Sequence, residues 1–255
     1  MRHRVIPTVG LIAVAIVPAC GGDDASVATT ATAPATPVID PGDGGNYTPD
    51  IDPANFVDAI DNPYLPWIVG SRWVYEGEVD GETERVEVVV TDERKTILGI
   101  EATVVRDSVY TGDELTEDTF DWYAQDKDGN VWYLGEDTKE YENGEVVSTE
   151  GSWEAGVDGA QPGIVMPADP TVGVAYRQEY YAGEAEDMGE IIEVGGTVDV
   201  PAGHYDDVVT TKDWTPLEPE VIENKKYAHG VGVVHETLVA GGDELLELVE
   251  FTPGG

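Results

Sequence analysis

From Ser71 onward, turn pairs built on glycine recur at short, fairly regular spacing, and they constrain the fold more than any other feature. Asp80-Gly81 separates residues 72–79 from 82–91, Gly112-Asp113 separates 100–111 from 114–124, and Asp128-Gly129 separates 120–127 from 130–135. Asn143-Gly144, Ala202-Gly203 and Gly241-Gly242 divide the later segments in the same way. Asn-Gly and Asp-Gly accept the positive φ of tight hairpin turns, so each pair predicts two antiparallel neighbours.

The segments between the turns alternate. Trp73, Tyr75, Val86, Val88 and Val90 fall on period two, with Arg85 and Glu87 on either side of Val86. Leu246, Leu248 and Glu250 share one side; Leu245, Glu247, Val249 and Phe251 share the other. Such patterning predicts an all-β fold of about a dozen strands, an antiparallel meander forming a barrel or curved half-barrel. A mixed sheet with βαβ units is not expected, because no crossover helices are encoded to cover parallel strands. Residues 151–173 lack a strand pattern but hold Trp153, Ile164, Val165 and Met166. They are expected to form a long ordered loop that plugs or lids one mouth, or else a linker between an N-terminal and a C-terminal sheet.

The chain begins with Arg2, His3 and Arg4, followed by an apolar run over residues 5–17. A membrane-spanning helix needs about 20 apolar residues, so this run is too short for one and fits a secretory signal peptide instead. It ends in Val17-Pro18-Ala19-Cys20-Gly21, and Cys20 is the only cysteine. The stretch resembles the lipobox of bacterial lipoproteins of actinobacterial type. Pro18 departs from the small residue usual at its position. The resemblance implies cleavage after Ala19, a diacylglyceryl (palmitate-type) anchor on Cys20, and attachment to the cell membrane on the extracytoplasmic side. Two acyl chains hold stably where one holds only marginally. The alternative is a secreted protein with an incidental thiol. Domain organisation follows: signal peptide 1–19, tether 20–50, and one β-domain over 51–255. The tether is rich in Ala, Thr, Pro, Gly and Asp and cannot bury enough surface to offset its ordering entropy. Asp52-Pro53 opens a short helical turn. The proline-rich 62–67 segment is expected to lay Tyr64, Leu65 and Trp67 over one end of the domain.

Charge narrows the partners. The chain has 52 acidic and 13 basic residues, a formal net charge of −39. Loss of residues 1–19 removes Arg2 and Arg4 and no acid. Nucleic acid is excluded, because its binding needs Lys and Arg to release counterions. Cations, basic proteins and neutral ligands remain, against the plainer reading of a solvated, self-repelling surface.

The tip Asp126-Lys127-Asp128-Gly129-Asn130 is similar to part of a calcium loop. An EF-hand needs a bidentate Glu at its twelfth position and flanking helices. Here that position is Asp137 and the flanks are strands, so Asp126 and Asp128 either form a turn or bind a cation on their own. Register decides the neighbouring carboxylates. A two-residue turn sets Asp121 opposite Glu136, a costly like-charge pair. A three-residue turn with Gly129 in a bulge sets Asp121 opposite Gly135 and is preferred. Phe120, Trp122 and Ala124 share a face, assigned to the core. Glu179, Glu184, Glu186 and Asp187 either bind calcium at the barrel rim or lie on solvated surface. His229 and His235 are too isolated for a metal site. No nucleophile elbow, zinc helix, phosphate loop or dinucleotide fingerprint is present, and nothing in the sequence points to an enzyme.

Val200-Pro201-Ala202-Gly203-His204-Tyr205, followed by Lys226-Tyr227-Ala228-His229-Gly230-Val231-Gly232-Val233-Val234, resembles a pattern of secreted bacterial β-proteins such as the TapB-like group. The resemblance implies a curved antiparallel sheet, with Gly203 in a tight turn and Gly230 and Gly232 in a bulge. The expected function is an anchored, non-enzymatic binding protein for a small neutral or amphipathic ligand or an envelope partner. Trp122, Trp132, Trp153 and Met166 are expected to line or close its cavity. The alternatives are an interaction protein with a filled interior and a calcium binder.

Overall fold

The computed structural model describes residues 47–79 and 81–255. Cys20, the signal segment and the tether up to residue 46 lie outside the described residues. The strands are β1 (Phe56–Val57), β2 (Arg72–Val79), β3 (Glu82–Ile97), β4 (Ile100–Thr111), β5 (Glu114–Asp126), β6 (Val131–Glu142), β7 (Glu145–Ser148) and β8 (Trp153–Glu154). They continue as β9 (Gln161–Met166), β10 (Ala175–Arg177), β11 (Glu179–Tyr180), β12 (Met188–Val200), β13 (Gly203–Trp214), β14 (Ile222–Ala228), β15 (Gly232–Ala240) and β16 (Leu245–Thr252).

One antiparallel path runs β10-β12-β13-β14-β15-β16-β2-β3-β4-β5-β6-β9-β11. Its two ends, β10 and β11, are neighbours in sequence, joined by Gln178 alone. The chain therefore steps from one edge of the sheet to the other within residues 175–180. This brings the sheet close to closure and covers edges that would otherwise invite pairing with other chains. Gly163 on β9 permits the seam, because a Cβ there would stand 2.3 Å from the Gln178 carbonyl.

Most hairpins fall at the turn pairs read from the sequence. The β3–β4 hairpin does not: it turns on Leu98 and Gly99, with φ of 51° and 83°. A leucine in the left-handed region gives no sequence signal, because it is unfavourable there. The 151–173 stretch is neither plug nor linker. It supplies β8 and β9, and β9 is a wall strand hydrogen-bonded to β6 and β11. Pro162 and Gly163 masked its alternation.

One end is closed by the segment before β2. Leu65 and Trp67 are buried, and the Trp67 ring lies 5.1 Å from Trp73 and 5.4 Å from Tyr123. Asp52 caps the short 3-10 turn Pro53–Asn55 by accepting from the Ala54 amide. Trp73 donates its indole N–H to the Val231 carbonyl and Tyr75 its hydroxyl to the Val233 carbonyl. These bonds reach past β16, which lies between β2 and β15, and Tyr75 also neighbours Asp107 of β4 and Tyr227 of β14, so the face bearing Trp73 and Tyr75 is the inner one. By ladder register, Tyr123 and Asp121 share this inner face. Phe120 and Trp122 lie on the other face of β5, and they belong to the core as the sequence reading assigns: Trp122 and Ala124 are buried in the hydrophobic cluster and Phe120 packs against it. The two rings are covered there by cations: Lys95 sits 3.1 Å from the Trp122 ring centroid and Arg106 lies over Phe120. Long basic stems shield apolar rings while their heads stay wet.

Candidate functional site

Strand parity places carboxylates inside. On β3, Glu84 continues the inward row of Val86, Val88 and Val90. Their partners on β4 put Asp107 opposite Val88, and β5 then places Glu117, Thr119 and Asp121 on the same face. β6 adds Glu136 and Thr138. All these side chains are buried, Asp107 at 3% exposure and Asp121 at 2%.

The decisive register is that of β5 and β6. The turn has three residues, as the sequence favours: the Asp126 amide bonds the Asn130 carbonyl and Gly129 has φ 100°. A bulge at Leu134-Gly135 then restores the shift, and Asp121 stands opposite Glu136 after all. Gly135, at φ 127°, makes this possible. Two carboxylates facing each other out of water cannot both ionise at ordinary cost. Burial pushes Asp121 up to about 7, and burial together with Asp121 pushes Glu136 well up. The Tyr133 hydroxyl donates to Asp121 Oδ1 at 2.7 Å.

Hydroxyls tie the row together. Thr138 donates to Glu136 Oε2 at 2.8 Å, Thr119 donates to Glu117 Oε1 at 2.9 Å, and the two threonine oxygens are 3.2 Å apart. Burial raises Glu117 and Glu84 to about 7 each. Asp107 differs from these, because both of its oxygens are buried without a hydrogen-bond partner. Burial, then Asp121, Glu117, Glu236 and Glu84, hold its pKa well up. An unmatched buried carboxyl costs about 1–3 kcal/mol or more, so its retention needs an explanation.

The opposite half carries its own cation. Lys225 on β14 is buried, with its ammonium 3.3 Å from Glu223, 3.8 Å from Glu236 and 4.0 Å from Asp213. Desolvation works against that charge, but the three carboxylates outweigh it and hold the lysine well above its ordinary pKa. At these distances Lys225 compensates charge without completing every hydrogen bond, and oxygens of Asp213 and Glu236 stay unmatched. Burial leaves Asp213 at about 6 and Glu236 at about 8 despite the lysine. Glu179 and Asp187 adjoin this half. Both are buried, and each is raised by burial, with Asp187 adding to Glu179. The inner face is thus acidic, part neutral and part charged near pH 7, with the tyrosines Tyr75, Tyr123, Tyr133, Tyr176 and Tyr227 among the carboxylates.

The residues singled out from sequence scatter. Glu179 and Asp187 come together inside, whereas Glu184 is exposed and Glu186 bonds the Gly183 amide at the turn. Asp126 spends both oxygens locally. Oδ1 accepts from the Asp128 and Asn130 amides, and Oδ2 accepts from the Asn130 side chain and the Trp132 indole. It organises the turn, while Asp128 is exposed. Trp132 packs edge-on against Phe56 near that turn. Trp153 and Met166 are buried, with Trp153 edge-on to Tyr133 and opposite Glu136 on the β6–β8 ladder. Among the described residues, no group of three or more His, Cys, Asp or Glu is arranged to hold a metal ion. The inner carboxylates of β3 to β6 escaped sequence reading because acids are spread through the whole chain. Only full register separates Asp107 and Asp121 from their solvated neighbours.

No family model and no curated protein matches the chain. Among solved structures, it is similar to a Bacteroides fragilis chain assigned as an exported protein with a YmcC-like fold, at 14% identity and TM-score 0.44, over 74% of this chain and 99% of that one. It is also similar to a Parabacteroides distasonis chain assigned as a lipoprotein, at 13% identity and TM-score 0.36, over 75% of this chain and 99% of that one. None of these comparisons supports the actinobacterial-type or TapB-like resemblance read from the sequence.

Proposed function

We propose that the chain is a lipid-anchored extracytoplasmic protein, without enzymatic activity, that binds a small amphipathic ligand inside its β-barrel. The lipobox at Val17-Pro18-Ala19-Cys20 supports the anchor, and the strongly acidic composition suits an exposed location. The binding reading rests on one observation: Asp107 keeps both carboxylate oxygens buried and unmatched on the inner face. Folded chains rarely leave such groups without a partner, and a ligand or ordered water supplies the missing bonds. Aromatic rings on the same face suit the apolar part of the ligand. The inner carboxylates are read as binding groups because no nucleophile accompanies them in any motif.

The test is native mass spectrometry of the acylated protein, purified from membranes in mild detergent. A co-purifying small molecule that leaves on denaturation is the expected result. An acylated chain bare of any ligand, with an interior that exchanges only water, contradicts the reading and leaves a protein whose role lies in its outer surface.

A further inference from the structure

Among the described residues, both halves of the inner face carry buried carboxylates, but only one holds a cation among them. On β14, one ammonium, that of Lys225, stands among Glu223, Glu236 and Asp213 at 3.3 to 4.0 Å. On β3 to β6, Glu84, Asp107, Glu117, Asp121 and Glu136 face inward with no such group. Among the described residues of β2 to β6, Arg72, Arg85, Lys95, Arg106 and Lys139 sit at outward positions, and Arg94, opposite Thr103 beyond the β3 bulge, is exposed. Arg72 and Arg85 pair with Glu87, Arg106 with Asp118, Lys139 with Asp137, and Lys95 with Glu154. Asp107 retains two unmatched oxygens and Glu84 one, at 3% and 6% exposure.

We propose that the β3–β6 half of the barrel interior is a site for a small organic ammonium ion, which brings to Asp107 and its neighbours the positive charge that Lys225 brings to the opposite half, together with N–H donors for the unmatched Asp107 oxygens. This rests on the binding function above and names the polar end of its ligand. An ammonium carries three donors and no acceptor, matching a wall that offers mainly carboxylate oxygens. The stacked pair Tyr123 and Tyr133, with centroids 4.9 Å apart and packed between Trp67 and Trp153, borders Asp121 and makes the surroundings of these carboxylates apolar. An inorganic divalent ion is a poorer fit, since no triplet of carboxylates among the described residues is gathered for one. The groups facing Asp107 are Glu84 from β3, Glu117 and Asp121 from β5, Glu236 from β15, and the Tyr75 and Tyr123 hydroxyls from β2 and β5. Entry of the ammonium ionises a carboxyl of this set, and the displaced carboxyl proton passes to solvent. Binding therefore exchanges one proton for one organic cation.

The experiment is calorimetric titration of the full chain with hexylamine and, separately, with hexanol, near neutral pH and in two buffers of different ionisation enthalpy. Hexylamine is expected to bind with proton release and at least about tenfold more tightly than hexanol. Asp107→Asn and Glu84→Gln are each expected to weaken hexylamine by about tenfold or more, while Asp128→Asn, on the exposed turn, leaves it unchanged. Circular dichroism melting confirms that each variant folds, and Glu84→Gln carries the test if Asp107→Asn does not. Equal binding of hexanol, or hexylamine binding indifferent to both inner variants, overturns the ammonium site and leaves the binding barrel standing. Binding of neither probe, beside a co-purified ligand of another class, does the same. Binding of neither probe to a protein that also carries no ligand from its membrane removes both readings.

Discussion

Asp121 and Glu136 are directly opposed across the β5–β6 ladder on the inner face of the barrel, both buried, with the Tyr133 hydroxyl 2.7 Å from Asp121 Oδ1. The pair exists because a bulge at Gly135 undoes the register that the three-residue turn sets. It fixes the character of the interior: protons are held here that solvated carboxyls release.

Stability is therefore expected to fall as pH rises. The inner carboxyls titrate higher in the folded chain than in the unfolded one, with Asp213 at about 6, Glu84, Glu117, Asp121 and Asp187 at about 7, and Glu236 at about 8. The folded state binds more protons than the unfolded state from about pH 4 upward, so its advantage is full only below the ordinary carboxylate pKa of about 4 and is lost as pH rises through the folded values to about 8. Thermal melts from pH 5 to 8 check this. Repeating them in 1 M salt separates the interior from the surface, because salt screens exposed repulsion far more than buried charge. A melting temperature that rises with pH is the contrary result.

Neutralising one member of the opposed pair removes the need for its proton. Glu136→Gln is expected to stabilise the protein at pH 8 by roughly 1–3 kcal/mol and to do little at pH 5. Urea unfolding at the two pH values measures the difference. Equal effects at both would show that the pair ionises freely.

Lys225 is expected to be costly to lose. Lys225→Met leaves Glu223, Glu236 and Asp213 without their shared cation, a loss of about 3–5 kcal/mol at pH 7. The double variant with Glu223→Gln should recover part of it. Additive losses in the double-mutant cycle would mean that the lysine and glutamate do not interact.

Much of the fold was legible. Arg72–Val79, Ile100–Thr111 and the starts of β3 and β5 follow from alternation and turn chemistry alone. What escaped lies where local chemistry gives the wrong sign or none. Leu98 occupies a left-handed turn position, and Pro162-Gly163 hid the wall strand β9. Phe251 is carried to the side of Trp73 by a bulge between Leu248 and Glu250. The inner carboxylates were the hardest to see. Whether Asp121 meets Glu136 or Gly135 depends on one extra residue in β6, and a one-residue slip reverses every side chain beyond it.

The seam makes a separate prediction. Gly163→Ala places a methyl 2.3 Å from the Gln178 carbonyl and should cost about 1–3 kcal/mol or more while opening the junction of β9 with residues 175–180. Faster hydrogen exchange confined to β9, β10 and β11 is the expected signature. Unchanged exchange there would place closure elsewhere.

Cys20→Ser should release the protein from membranes into the soluble fraction, since a single acylated cysteine is the proposed attachment. Persistence in the membrane fraction would remove the lipid anchor from the account.

The most direct measurement is carbon NMR titration of the Asp and Glu side-chain carboxyls of the intact domain. The account predicts that the resonances of Asp107, Asp121, Glu117 and Glu84, assigned through their Asn and Gln variants, remain protonated at pH 5.5 and titrate near or above neutrality. It also predicts that an added alkylammonium shifts their midpoints down. Midpoints near 4 for all of them, unaffected by the amine, would show an ordinary solvated acidic surface and contradict the account.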